Sequence, residues 1–190
     1  MRSEPGRVFL REVATEAEHR DPLAAIELEV VALFDDLRAC LLRYLLSFSL
    51  SVVDSEDLLQ ETFLALFHHL KQGKSRENLR GWLFRVAHNL ALKHLRSQQS
   101  ATVVSESVVL PKNSPISPDL NPEDQCMAAQ TSERVLRVVA ALPEQTRCCL
   151  HLRGEGFRYR EIAEVLDISL GSVAARLQDA LARIARAVER

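Results

Sequence analysis

A segment near the middle of the chain, residues 98–121, separates two stretches that carry a strong helical pattern of apolar residues. It contains Pro111, Pro115 and Pro118 together with five serines, and no period of 3.6 residues survives there. Proline removes a backbone donor and clashes with the preceding helical turn, so a helix cannot run through this segment. We therefore predict an extended linker between two helical domains, each of which has to bury its own core.

The composition favours a packed, helix-rich protein over a disordered one. Hydrophobic residues make up 47% of the chain, whereas glycine and proline are few. Because β-branched residues do not alternate with polar ones, we predict an all-α fold with two small helical domains. The stretch "TVVSESVVL" could pair as a strand, but nothing nearby offers a partner. The predicted parts are an N-terminal extension (1–21), a first domain (22–97), the linker (98–121) and a second domain (122–190).

Caps and apolar periods predict the individual helices. In the first domain, one helix opens at Asp21-Pro22, a second is capped by Asp54 or Ser55, and a third covers about residues 81–96. In the second domain, Asn121 caps a helix over 122–141. A further helix ends at about residue 153, before Gly154 and Gly156, and two short helices cover about 159–166 and 170–188.

The net charge of −2 is unevenly distributed along the chain. Residues 1–70 carry −7, residues 71–100 carry +6, residues 101–133 carry −4 and residues 134–190 carry +3. Two positive blocks between acidic stretches suggest two separate anion-binding surfaces, although such differences also arise by chance in solvated helices.

The last two helices have the pattern of a helix-turn-helix. Ile162, Leu166, Val173 and Leu177 are spaced to close two helices around a short turn, and Asp167 falls where a left-handed residue is needed. An ordinary helical hairpin is the alternative. The residues that we expect to face DNA are Arg158, Arg160, Ser172, Ala175, Arg176 and Gln178. Since the second helix itself carries Asp179 and few cations, Arg158 and Arg160 of the preceding helix would supply positive charge for phosphates.

The third helix of the first domain combines an apolar side with a cationic one. Leu83, Val86, Ala87 and Leu90 form the apolar side. At 100° per residue, Arg85, Asn89 and Arg96 fall together, flanked by His88 and Lys93. Such a surface is typical of grooves that hold single-stranded nucleic acid. Trp82 and Phe84 could stack on bases, although Trp82 is as readily a core residue.

The helix that precedes it carries two stripes. Leu59, Phe63, Leu66 and Leu70 form a core stripe. The second stripe follows the i, i+3, i+4, i+7 spacing and consists of Asp57, Gln60, Glu61 and Leu64. It is either a solvated face or a docking surface for a protein partner.

Three segments in this order resemble bacterial sigma factors of the extracytoplasmic-function group, a group with two helical domains and a flexible linker. "DSEDLLQETFLALFHHL" resembles the region 2 helix that binds RNA polymerase. "LRGWLFRVAHNLALKHLR" resembles the helix that opens and reads the −10 promoter element. "ALPEQTRCCLHLRGEGFRYREIAEVLDISLGSVAARLQDALARI" resembles region 4, which reads the −35 element.

The resemblance implies partners and residue roles. The partners are core RNA polymerase, promoter DNA and an anti-sigma factor. The acidic stripe would bind the polymerase, the cationic helix the −10 element, and residues 72–79 a flipped base. Ser172 and Arg176 would contact the −35 element. The family usually has other residues at Lys93, Arg158, Asp167, Ala174, Ala175 and Asp179, so −35 recognition is expected to be altered.

Other classes of function are disfavoured by the sequence. The His, Cys and acidic residues have no spacing typical of a catalytic set, a metal site or a phosphate loop, so neither an enzyme nor a bound cofactor is expected. Neither an apolar span nor a leader is evident, which predicts a cytoplasmic protein. Two alternatives stay open: a sigma-like decoy that only binds an anti-sigma factor, and a plain helix-turn-helix transcription factor.

Overall fold

The computed structural model describes residues 22–100 and 122–189, which form seven helices. In the first domain these are α1 (Pro22–Leu46), α2 (Val52–Lys71) and α3 (Leu79–Ser100). In the second they are α4 (Pro122–Ala140), α5 (Glu144–Gly154), α6 (Tyr159–Leu166) and α7 (Leu170–Val188). Within the described ranges there is no strand, and the prediction of an all-α fold is confirmed. The caps expected at Asp21 and Asn121 and the candidate strand lie outside the described residues.

Most helix bounds agree with the sequence predictions, but two differ. Helix α2 begins at Val52, ahead of the expected cap, and Asp54 lies in its first turn, where a carboxylate is favourable next to the helix dipole. Helix α3 continues to Ser100, so residues 98–100 are helical and not part of a linker. Near this end of the helix, Ser97 Oγ donates to the carbonyl of His94 and the Gln98 amide contacts His94 Nε2 at 2.8 Å.

The Cα positions divide the chain into two compact units. The first comprises residues 22–45 and 52–98, and the second comprises residues 46–51 and 122–189. Aromatic rings join the helices of the first unit: Phe34 of α1 meets Phe63 of α2 edge-on at 5.0 Å, and Tyr44 of α1 lies 5.3 Å from Phe84 of α3. The core stripe predicted for α2 is buried, with Leu66 fully inaccessible.

In the second unit, α7 contacts α4, α5 and α6. Leu152, Ile162 and Val173 are completely buried where these helices meet. The turn between α6 and α7 is the predicted one: Asp167 has φ 52° and ψ 48°, and its backbone N–H donates to the carbonyl of Ala163. Ser169 then caps α7 by accepting the N–H of Ser172 at 3.1 Å. None of the helices in the described ranges is long and apolar enough to cross a membrane.

Candidate nucleic-acid interface

The loop ahead of α3 is fully exposed over residues 72–78 and enters the helix through Asn78. Asn78 has φ 49°, and its Oδ1 accepts the N–H of Gly81 at 3.1 Å. Gly81 makes this cap possible, since a Cβ there would lie 2.5 Å from the Asn78 amide nitrogen. The side chain of Asn78 therefore fixes the direction in which the loop leaves α3.

Contacts with both neighbouring helices hold the loop. His69 Nε2 lies 2.8 Å from the carbonyl oxygen of Ser75, and the ring of His69 contacts that of Trp82 in a tilted arrangement with centroids 4.5 Å apart. Arg76 Nε donates to Glu29 Oε2 of α1 at 3.1 Å. Trp82 is half-buried, whereas Phe84 is fully buried. Of these two rings, Trp82 alone keeps exposed surface on which a base could stack.

One side of α3 presents Arg85, Asn89, Lys93 and Arg96, all exposed. We call these four residues the basic edge. Their spacing of four, four and three residues places them along one side of the helix. Among the residues that the structure describes, no hydrogen bond or ion pair occupies the side chains of Arg85, Asn89 or Lys93. Arg85, Asn89 and Lys93 therefore present donors that are available to an external acceptor.

His88 does not belong to this surface, contrary to the sequence prediction. Its side chain is 6% exposed, and its Nδ1 lies 2.9 Å from the Tyr44 hydroxyl of α1. Burial lowers the pKa of His88 from 6.5 to about 4, because the interior disfavours the charged ring. His88 therefore serves the packing of α3 against α1 as a neutral residue.

The second stripe of α2 is exposed over its whole length. Asp57, Gln60 and Glu61 are accessible, and Leu64 is 56% exposed. Val53, which the sequence analysis did not single out, is 68% exposed and lies one turn before Asp57. We call these five residues the α2 face. The α2 face therefore combines two exposed apolar side chains with three polar ones on one side of the helix.

The helix-turn-helix surface is less uniform than predicted. Arg158, Arg160 and Ala175 are exposed, whereas Ser172 and Arg176 are half-buried. The hydroxyl of Ser172 lies 2.8 Å from that of Ser169 in the cap of α7. These hydroxyls therefore join the turn to the start of α7.

Arg176 is held by a residue that the sequence analysis missed. Its Nη2 donates to Gln145 Oε1 of α5 at 2.6 Å, which directs the guanidinium towards the start of α5. Arg176 also lowers the pKa of the buried Cys149 thiol, although burial of the thiol is the larger effect and raises that pKa overall. Gln145 and Arg176 are 31 residues apart, so no periodicity in the sequence indicates this contact.

Gln178 is exposed, but it does not share the side of α7 that carries Arg176. Arg176 and Gln178 are two positions apart, which separates their side chains by about 160° around the helix axis, so one groove cannot receive both. The helix geometry therefore does not place Gln178 beside Arg176, and a −35 contact by Gln178 stays a prediction. Asp179, on the same side as Arg176, forms an ion pair with Arg183 at 3.0 Å, which offsets its charge.

Comparisons with known proteins match both units. The family profile for sigma-70 region 2 matches residues 33–101, and the profile for sigma-70 region 4 matches residues 132–184. A probable RNA polymerase sigma factor, RfaY of Xanthomonas campestris, is 30% identical over 140 residues, 73% of this chain but only 35% of that protein. The sigma-E factor of Escherichia coli K12 is 28% identical over 130 residues, which cover 65% of this chain and 68% of the relative.

Two solved structures have the same fold. The sigma factor RpoE of Bartonella quintana, determined with the anti-sigma factor NepR, superposes with a TM-score of 0.61 at 23% identity. That match covers 83% of this chain and 97% of RpoE. CnrH, determined with the cytosolic domain of CnrY, superposes with a TM-score of 0.57 at 22% identity, covering 94% and 96%. With both family profiles in order along one chain, this protein belongs to the sigma-70 family, with the region 2 and region 4 domains of the extracytoplasmic-function type.

Proposed function

We propose that this protein directs RNA polymerase to promoters and helps to open the −10 element. The observation that carries the proposal is the exposed basic edge of α3, next to a loop that is held at both ends. Cations and an amide along one helix suit the phosphates and base edges of an unwound strand. By this proposal the exposed loop, residues 72–78, would receive a flipped base.

The α2 face is the proposed docking surface for core RNA polymerase. It lies on a different helix from the basic edge, so that one unit can bind the enzyme and the DNA together. The polymerase performs the catalysis, and the sigma factor contributes recognition alone, acting where the polymerase acts, in the cytoplasm.

The energetics of strand opening are compatible with this division. Extruding a base from a duplex costs a few kcal/mol, which is on the scale of one or two good contacts. Each specific base contact contributes about 1–3 kcal/mol of discrimination. The basic edge and a bound polymerase can together supply that free energy.

The helix-turn-helix is the proposed reader of the −35 element. Arg176 is the residue on α7 with the reach and donors to pair with a guanine, once it exchanges Gln145 for the base. Arg158 and Arg160, exposed at the start of α6, would contact phosphates. Ala175 offers a small surface that lets the helix approach the bases closely.

An anti-sigma factor is the proposed regulator. RpoE and CnrH were both determined in complex with a partner, NepR and the cytosolic domain of CnrY respectively. By this proposal, a protein of that kind would cover the α2 face or the DNA-facing surfaces of this chain.

In vitro transcription tests the proposed function. The purified protein and core polymerase are incubated with genomic fragments, and transcript start sites are mapped. We expect starts at a shared promoter sequence, and Arg176→Ala should reduce selectivity at one −35 base pair about tenfold or more. Binding to polymerase without any specific start would instead support a decoy that only sequesters an anti-sigma factor.

A further inference from the structure

A cleft between α4 and α7 in the second unit is lined by four arginines. Arg134 and Arg137 come from α4, and Arg183 and Arg186 come from α7. The cleft is open to solvent and has a volume of about 700 Å³. Asp179, Val138, Ala141 and Ala187 line the rest of it, so that the four guanidinium groups outnumber the single carboxylate.

The arginines of α7 continue the side of the helix that carries the proposed reading residues. Ser172, Arg176, Asp179, Arg183 and Arg186 follow one another at intervals of four, three, four and three residues. That spacing keeps all five on one side of the helix. Arg186 lies about 15 Å along the axis from Arg176. The cleft therefore lies at the C-terminal end of the side of α7 that carries Arg176.

Carboxylates neutralise these cations only in part. Asp179 pairs with Arg183 at 3.0 Å, and Glu133 approaches Arg137 at 3.9 Å, where both side chains are about 70% exposed. Arg134 donates through Nη2 to Thr131 Oγ1, but its Nε is buried and has no hydrogen-bond partner among the described residues. A buried donor without an acceptor is unfavourable unless a ligand supplies one.

Stability does not account for this arrangement. Four like charges around one cleft repel one another, and exposed ion pairs contribute little to offset that repulsion. Arginine guanidinium groups are planar forks that match the oxygens of a carboxylate or a phosphate, and the position of this set beyond the proposed reading residues of α7 favours phosphate.

We propose that the α4–α7 cleft is a phosphate-binding site and that it takes the backbone of duplex DNA beside the −35 contacts. This step rests on the proposed function of α7. In a helix-turn-helix the N-terminal residues of the second helix contact the base edges, so Arg183 and Arg186, about 10–15 Å further along α7 than Arg176, would lie beyond the bases and close to the phosphates. The cleft would then supply the positive charge that the start of α7 lacks.

The test measures the salt dependence of binding to non-specific duplex DNA by the full-length protein. In Arg183→Ala with Arg186→Ala, we expect the slope of log affinity against log salt to fall by about two, because each lost phosphate contact removes about 0.9. A matched control, Arg38→Ala with Arg43→Ala, removes the same charge from exposed positions on α1 and should leave the slope unchanged.

A second arm uses inorganic tripolyphosphate as the probe. It should bind the wild-type protein and compete with DNA. The double variant Arg183→Lys with Arg186→Lys should bind it more weakly, because lysine keeps the positive charge but lacks the planar, two-donor guanidinium. Tripolyphosphate binding with an unchanged DNA slope would retain the site but assign it to a free phosphate ligand. An unchanged slope together with no tripolyphosphate binding would overturn the proposal. Non-specific DNA needs no promoter, so a failure in transcription alone would leave this result intact.

Discussion

His88 lies on α3 between two residues of the basic edge in sequence order, yet its side chain points into the core. Tyr44 meets its Nδ1, and no water-exposed surface of any size is left. Protonating the ring would place a charge in this apolar setting, which explains why burial lowers the pKa of His88 to about 4.

The neutral state of His88 predicts a pH dependence of folding. A histidine with a lowered pKa in the folded protein stabilises the fold fully above pH 6.5, and that contribution decreases as the pH falls towards 4. Between pH 7.5 and 5.0 we expect the free energy of unfolding to fall by about 2 kcal/mol, measured by urea denaturation. His88→Gln should lose this part of the pH dependence. An equal pH dependence in both proteins would contradict a neutral, buried His88.

At the scale of elements, the turn between α6 and α7 depends on a backbone conformation that aspartate adopts at a cost. Asp167 has φ 52°, in the left-handed region, where a side chain beyond glycine is strained. The turn nevertheless forms, because Ser169 caps α7 and apolar residues on both helices are buried.

Asp167→Gly should therefore stabilise the protein by several tenths to about 1 kcal/mol, seen as a higher thermal midpoint by circular dichroism. Glu164→Gly is the matched control, since it introduces glycine at an exposed position inside α6 and should cost about 0.5–1 kcal/mol. Destabilisation by both substitutions to the same extent would show that the turn gains nothing from glycine.

The binding of a partner to the α2 face would depend on one whole side of the helix. We expect Asp57→Ala with Gln60→Ala to weaken binding to core polymerase at least tenfold in a fluorescence titration, while helix content stays the same. Asp35→Ala, an exposed carboxylate on α1, is the control and should bind normally. Normal affinity in the double variant would remove the docking role.

For the whole molecule, the charge distribution follows the proposed division of labour. Residues 1–70 carry −7 and residues 71–100 carry +6. An acidic segment that includes α1 and α2, followed by a basic one that includes α3, allows one chain with a net charge of −2 to bind an anion without being basic overall.

If the α2 face binds polymerase and the basic edge binds the opened DNA strand, promoter templates should differ in how much they depend on the basic edge. Arg85→Ala with Lys93→Ala should lower transcription from duplex promoters by an order of magnitude or more, while a template already unpaired at the −10 element restores part of the loss. The measurement compares run-off transcripts on the two templates with the same holoenzyme. Equal losses on both would indicate that the edge acts in a step other than strand opening, and a loss on neither would remove its role.

Local pattern was enough to predict the helices and much of the candidate site. Helices α6 and α7 have the predicted bounds, and Asp167 adopts the predicted left-handed conformation. Arg85, Asn89 and Arg96 are exposed together, as their spacing indicates. These features depend on residues within a few turns of one another, where the 3.6-residue period decides which side chains share a face.

Tertiary packing alone decided the rest. His88 points inward because Tyr44, 44 residues away, fills the space beside it, and Arg176 is directed by Gln145 of another helix. The four-arginine cleft exists only because α4 packs along α7, which brings Arg134 near Arg183. Periodicity within one helix carries no information about which helix will lie against it, so contacts between distant segments appear only when the cores are assembled.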